Sequence, residues 1–192
     1  QDLPLVTTSS NELALFSPHA GNIAQQPRDL AEVTVQHILP ARRNILMHGL
    51  KDAGKSFVCL AITQALVKGN SLFDCIPSND EGNVMYINSE TPEEDFLQRL
   101  EQFDIVDELG RHLFVLSKYD HAASDCAFSL TDPLFCVKIE SLMEKMGCSY
   151  LILDNLTTLM KEGQATQTIA VNKVYDWLER VQQRGICVIV VH

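Results

Sequence analysis

Residues 49–56, GLKDAGKS, place two glycines, a lysine and a serine at a spacing suited to phosphate binding. The pattern GxxxxGK[ST] cradles phosphate when it follows a strand and opens a helix. Gly49 then lets the chain turn, and Gly54 lets the backbone approach phosphate oxygens, so that loop N–H groups face the anion. Lys55 would reach the β- and γ-phosphates, and Ser56 would offer its hydroxyl to Mg²⁺. The alternative is a polar turn between two apolar runs.

The flanking residues decide between these alternatives. NILMH (44–48) is a short apolar run typical of a strand, and KSFVCLAITQALVKG (55–69) has the wide apolar face of a helix that ends at Gly69. The pattern alone arises by chance in roughly one chain in a hundred of this length. Its position at a strand–helix junction favours the phosphate cradle. The predicted nucleotide-binding residues are Gly49, Leu50, Lys51, Asp52, Ala53, Gly54, Lys55, Ser56 and Phe57.

A carboxylate that would hold Mg²⁺ follows another apolar run. YLILD (150–154) reads as a buried strand that ends at Asp154. An acid at a strand end is also common as a turn or helix-cap residue. Next to a phosphate cradle, the magnesium role is favoured, and we predict Ser56 and Asp154 as the metal ligands.

A residue that activates water is also needed for hydrolysis. Asn155, directly after Asp154, cannot act as a general base. Glu90 follows the apolar run VMYIN (84–88), and the carboxyl ends of parallel strands share one edge of a sheet. Glu90 is therefore the predicted base. Residues 93–95, also acidic, are better explained as first-turn residues favoured by the helix dipole.

Strand-like and helix-like segments alternate through most of the chain. The predicted strands are 44–48, 84–88, 113–116, 150–154 and 186–191, and the predicted helices are 55–69, 91–103, 132–147 and 167–185. We expect Thr91 and Asp132 to cap the second and third helices, with Thr91 forming a capping box with Glu94. Uniformly apolar strands separated by helices predict a three-layer α/β fold with a mainly parallel sheet.

Composition limits the remaining possibilities. Residues 1–28 are polar and aperiodic and predict an arm or linker, which leaves 29–192 as the folded domain. The six cysteines form no CxxC pair, which favours a reducing cytoplasmic setting without zinc, and His121, Asp125 and Cys126 are read as a polar loop. No segment could span a membrane. The net charge of −10 argues against a broad duplex-binding face.

The motifs together resemble those of the RecA-like ATPases. GLKDAGKS, INSETPEE, YLILDNLTTL and VIVVH are most similar to the RepA-type plasmid and mobile-element helicases, and next to the DnaB-type helicases and KaiC-like proteins. The resemblance implies a RecA-like core with sheet order 3-2-4-5-1, and a homo-oligomeric, hexameric ring that binds ATP and Mg²⁺ between subunits. It also implies that Lys55, Glu90 and His192 are catalytic, with His192 sensing the γ-phosphate. Lys51 and Asp52 depart from the small residues usual in this loop.

Two functions follow from this resemblance. The first is an ATP-hydrolysing, helicase-like motor of DNA replication or mobile-element maintenance, whose contacts to single-stranded DNA would lie beyond these residues. The second is a KaiC-like regulatory ATP switch that does not move DNA; a small-molecule kinase is a weaker third. We also expect the natural protein to continue past His192, because the strand of residues 44–48 would otherwise be an unprotected apolar sheet edge.

Overall fold

The computed structural model describes residues 33–35, 39–40, 43–73, 76, 82–119, 126–160 and 167–192. Its strands are β1 (Val33–Val35), β2 (Leu39–Pro40), β3 (Asn44–Met47), β4 (Asn83–Asn88), β5 (Leu113–Ser117), β6 (Cys148–Asp154) and β7 (Cys187–Val191). Its α-helices are α1 (Lys55–Lys68), α2 (Glu93–Gln102), α3 (Pro133–Met146), α4 (Leu156–Leu159) and α5 (Gln167–Gln183), and a 3₁₀ turn covers Val106–Glu108. The arm predicted for residues 1–28 and its boundary with the folded domain lie outside the described residues.

Strands β3 to β7 form one parallel sheet in the order β3-β7-β6-β4-β5. The five predicted strands correspond in chain order to β3, β4, β5, β6 and β7, so the observed order is the predicted order 3-2-4-5-1 read from the other edge. β1 and β2 lie outside the predicted strands and pair separately as an antiparallel sheet. β6 and β7 are buried almost throughout, as expected for central parallel strands covered on both faces. The predicted α/β class is confirmed.

Helices cover both faces of this sheet. On one face α1 and α2 pack against alternate sheet residues that include Tyr86, Ile152 and Ile189. On the other face α3 and α5 pack against the intervening residues, such as Ile87 and Leu153. Because successive side chains of a strand point to opposite faces, one strand contributes to both cores. The result is the three-layer arrangement that the apolar strands predict.

The predicted stop glycines of α1 and α3 and the predicted cap of α3 are confirmed, and the predicted cap of α2 is not. Gly69 and Gly147 end α1 and α3 in the left-handed conformation, and the Asp132 side chain caps α3 by accepting from the Leu134 N–H. The capping box predicted at Thr91 is wrong, because α2 begins after Pro92 and has no side-chain cap. Thr91 instead donates its N–H to Asn88 Oδ1, which ties it to the end of β4.

The strand register sets the level at which the loops leave the sheet. Asn88 is paired with Asp154 on one side and with Ser117 on the other, and Met47 is paired with Val191. The carboxyl ends of the five strands therefore lie at one edge. β3 is an outer strand of the sheet, with the Leu46 side chain 62% exposed. Among the described residues, no helix has the length and apolar character needed to cross a membrane.

Candidate functional site

A cavity of about 660 Å³ opens at the carboxyl edge of the sheet. Its lining includes Glu90 from beyond β4, Asp154 from the end of β6 and His192 from beyond β7. The phosphate loop forms another wall, and of its nine predicted residues Gly49, Lys51, Asp52, Ala53, Gly54, Lys55, Ser56 and Phe57 line the cavity. The structure thus brings the predicted base, the predicted metal ligands and the predicted sensor together around the loop.

Leu50 is the member of the predicted set that does not line this cavity. Its side chain is 86% exposed, so it contributes to the loop through its backbone. The Leu50 carbonyl oxygen accepts a hydrogen bond from Lys55 Nζ at 2.7 Å, and the Gly49 carbonyl oxygen accepts another at 2.8 Å. These two contacts fold the lysine back over its own loop, with the ammonium group beside the cavity.

The start of α1 has the local features of an anion site. Gly54 precedes the helix with φ 81°, a left-handed conformation that glycine adopts without a steric cost. The helix has no side-chain N-cap and no acidic residue in its first turn. Its first N–H groups and its positive dipole end are therefore not neutralised by a carboxylate of the helix itself. Phosphate oxygens are the ligands that such a helix start favours.

Asp154 combines burial with an unused acceptor. Its residue is 4% exposed, and its Oδ2 accepts a hydrogen bond from the Tyr86 hydroxyl at 2.7 Å. Burial, and then the charge of Asp154, raise the pKa of Tyr86 well above its ordinary value, so the phenol stays protonated and donates. Within the described part of the chain, Oδ1 of Asp154 is the buried side-chain oxygen without a hydrogen-bond partner.

This donor set fits Mg²⁺. The ion prefers oxygen ligands, keeps several waters, and takes one or two protein groups together with substrate phosphates. The orphaned Asp154 Oδ1 and the Ser56 hydroxyl, both at the cavity, are groups of this kind. Three or more His, Cys, Asp or Glu side chains do not cluster as a metal site anywhere in the described ranges. His121 and Asp125 lie outside those ranges.

Glu90 is held by its neighbour across the sheet. Its side chain is exposed, and its Oε2 accepts a hydrogen bond from Asn155 Nδ2. Ser89 fastens the two strand ends together: its N–H donates to the Asp154 carbonyl oxygen at 2.8 Å, and its Oγ accepts from the Asn155 N–H at 2.9 Å. The peptide bond between Asp154 and Asn155 is cis. The loop that carries Glu90 is thus fastened to the turn that follows β6.

His192 joins the edge strand to the loop. Its N–H donates to the Met47 carbonyl oxygen at 2.9 Å, and its own carbonyl oxygen accepts from the Gly49 N–H at 3.3 Å. The imidazole is exposed at the cavity, with its ring centroid 5.4 Å from that of His48. His192 is therefore hydrogen-bonded through its backbone to the first residue of the phosphate loop.

Sequence reasoning missed one wall of the cavity, which α2 supplies. Asp95 and Arg99 of this helix line it together with Thr91, which precedes the helix. The spacing of four residues between Asp95 and Arg99 is the signal that places these two on one helical face. Arg99 donates to Thr91 Oγ1 at 3.1 Å, and its guanidinium carbon lies 5.2 Å from the centroid of the Phe57 ring. This contact links α2 to the first turn of α1 beside the phosphate loop.

A phosphate loop and a strand-end carboxylate on a five-stranded parallel sheet define a P-loop ATPase of RecA-like fold. The chain belongs to the AAA domain family, whose model matches residues 10–192. It is similar in structure to the flagellar accessory protein FlaH from Methanocaldococcus jannaschii, with a TM-score of 0.58 and 14% sequence identity. The match covers 80% of this chain and 62% of FlaH, so this chain spans less than two thirds of the length of FlaH. No curated protein sequence matches.

Proposed function

We propose that this protein is a Mg²⁺-dependent, ATP-hydrolysing motor of the helicase-like type. The observation that carries the proposal is that the phosphate loop, Glu90, Asp154 and His192 line a single cavity. A loop for phosphates, a carboxylate for metal and a carboxylate for water are the groups that hydrolysis of a nucleoside triphosphate needs. Their juxtaposition supports ATP as the substrate and hydrolysis as the reaction.

The residues divide this chemistry among them. Lys55 and the N–H groups of the loop bind the phosphate oxygens, and Glu90 takes a proton from the attacking water. The water oxygen forms a bond to the γ-phosphorus while the bond from that phosphorus to the β–γ bridging oxygen breaks, which leaves ADP and phosphate. Ser56 and Asp154 would hold Mg²⁺, which supplies positive charge to the phosphates when bound.

The motor assignment goes one step further than ATP hydrolysis. His192 senses the γ-phosphate, and its backbone hydrogen bonds to Met47 and Gly49 transmit the effect of phosphate release to the edge of the sheet. Like the families whose motifs this chain resembles, the protein assembles as a homo-oligomeric, hexameric ring with ATP between subunits. Single-stranded DNA is its proposed track.

A regulatory ATP switch is the second candidate. The net charge of −10 favours it, because an acidic protein repels a nucleic-acid backbone. The structural similarity to FlaH, a flagellar accessory protein, is also compatible with a role that moves no DNA. In this alternative the same hydrolysis changes the binding of a protein partner.

The ATPase rate of the protein with and without single-stranded DNA separates the two candidates. A motor on DNA should hydrolyse ATP several-fold faster when DNA is added, with the ring detected by light scattering in the presence of ATP. Glu90→Gln is the matched control, since it should bind ATP and lose about a hundredfold or more of the hydrolysis rate. An ATPase rate that does not change when single-stranded DNA is added would favour the switch. Near-normal hydrolysis by Glu90→Gln would show that Glu90 is not the base.

A further inference from the structure

We infer that Asn155 is the positioning residue for Glu90, and that its side-chain amide sets the place from which Glu90 acts on water. The inference rests on the proposed function, because it assumes that Glu90 is the general base. Asn155 directly follows Asp154. A carboxylate at this position could act as a general base, but the Asn155 amide cannot accept a proton from water. Its donor group instead reaches the carboxylate that can.

Both ends of the Asn155 amide have partners. Oδ1 accepts from the Thr158 N–H at 2.9 Å and caps α4, and Nδ2 donates to Glu90 Oε2. An oxygen that caps a helix must face that helix, so the NH₂ group is turned the opposite way, toward Glu90. The short helix therefore orients the amide, and the amide in turn orients the carboxylate.

The backbone around Glu90 is fixed on both sides. Ser89 is bonded to the turn after β6, and Thr91 is bonded to Asn88 through its N–H and its carbonyl oxygen. The carbonyl oxygen of Glu90 also accepts from the Tyr119 hydroxyl at 3.3 Å. These contacts fix the backbone but not the exposed Glu90 side chain, and within the described ranges the Asn155 amide is the side chain that bonds to its carboxylate. Oε1 then remains to accept the proton of water.

A general base held in a fixed position catalyses hydrolysis faster than the same carboxylate rotating freely in solvent. A displacement of about 1 Å at a reacting group can cost about a hundredfold in rate. Loss of the Asn155 donor should therefore lower kcat by about tenfold to a hundredfold. Nucleotide affinity should change little, because the phosphate loop does not depend on this contact.

Three substitutions separate the donor from the helix cap. Asn155→Ser keeps a capping oxygen but cannot reach Glu90, and Asn155→Asp keeps the cap and the shape while replacing the donor with a second carboxylate. Asn155→Ala removes both functions. We expect kcat to fall in all three variants, with KM and the binding of a fluorescent ATP analogue nearly unchanged in the Ser variant. Thermal stability should fall in Asn155→Ala only.

The deciding measurement repeats Asn155→Ser in the Glu90→Gln background. If Asn155 acts through Glu90, the second substitution should add no further loss of hydrolysis, whereas a general structural role would make the two losses multiply. The inference would be overturned if the two losses multiplied. It would also be overturned if Asn155→Ser kept the wild-type kcat while Glu90→Gln was inactive. Either result would leave Glu90 as the proposed base. An active Glu90→Gln would overturn the proposed base itself, and this inference with it.

Discussion

The Tyr86 hydroxyl donates to Oδ2 of Asp154, and the contact joins the middle of β4 to the end of β6. Tyr86 is fully buried, so its hydroxyl exchanges no bond with water, and Asp154 keeps Oδ1 for another ligand. The hydrogen bond therefore determines that Oδ2 binds within the protein and that Oδ1 stays open to a ligand. Partners of this kind orient a metal ligand without touching the metal.

Tyr86→Phe tests this orientation. The phenyl ring keeps the packing of Tyr86 against Phe96, whose centroid is 5.1 Å away, so the substitution removes the hydroxyl alone. We expect a loss of about 1.5–3 kcal/mol in the free energy of unfolding, because a buried carboxylate loses its donor. The Mg²⁺ concentration needed for half-maximal ATP hydrolysis should rise by about tenfold. Urea unfolding and a Mg²⁺ titration measure the two effects, and no change in either would contradict the role of the hydroxyl.

Lys55→Ala should weaken ATP binding by at least about tenfold, since the loop loses a charge-assisted contact to phosphate. Lys51→Ala is the comparison, because it removes the same charge from an exposed residue of the same loop that also lines the cavity, and its effect should be smaller. Calorimetric titration with ATP measures both affinities. Equal effects of the two substitutions would mean that the net charge of the loop, and no specific contact of Lys55, determines binding.

Burial of Cys148 predicts a pH dependence of stability. Burial raises the pKa of this thiol from 9.0 to about 11. The unfolded chain therefore releases the proton first, and the stability that the buried thiol contributes is present below pH 9 and lost as the pH rises toward 11. Cys148→Ala should show a smaller fall in urea midpoint between these pH values, with Ser149→Ala as the control. An unchanged fall in Cys148→Ala would show that other groups cause it.

Much of the fold was predictable because the sequence carries strong local signals. The apolar runs of β6 and β7 and the glycines at 69 and 147 each specify one element or one helix end. The predicted site residues lie close together because parallel strands place all their carboxyl ends at one edge of the sheet. Glu90, two residues beyond β4, and Asp154, the last residue of β6, could therefore be predicted from their positions at strand ends.

The remainder depends on contacts between distant residues, which no local pattern encodes. Thr91 has the sequence of an N-cap, but Asn88 and Arg99 bond to it instead. The sequence gives Asn155 no role because its amide cannot take a proton, and its bond to Glu90 spans 65 residues of sequence. The Tyr86–Asp154 bond is likewise a product of strand register, and a buried tyrosine in an apolar strand gives no sign of it beforehand.

Asp52 offers a test of how the loop charge affects nucleotide binding. It is exposed, lines the cavity and has φ 61°, in the left-handed region that few residues other than glycine adopt. Asparagine tolerates this conformation, so Asp52→Asn removes the charge without changing the backbone requirement. A negative charge beside the phosphates opposes binding, and its removal should tighten ATP binding by about twofold to fivefold at low ionic strength.

Calorimetry at two salt concentrations distinguishes this repulsion from a change in loop structure. Because Asp52 is exposed, the gain in affinity should shrink as the salt concentration rises and screens the charge. Asp107→Asn removes one negative charge from an exposed position that does not line the cavity, and it should leave affinity unchanged at either salt concentration. A gain that persists at high salt would indicate a rearranged loop. An equal gain in Asp107→Asn would attribute the effect to net charge, and the acid within the phosphate loop would then have no specific influence on ATP.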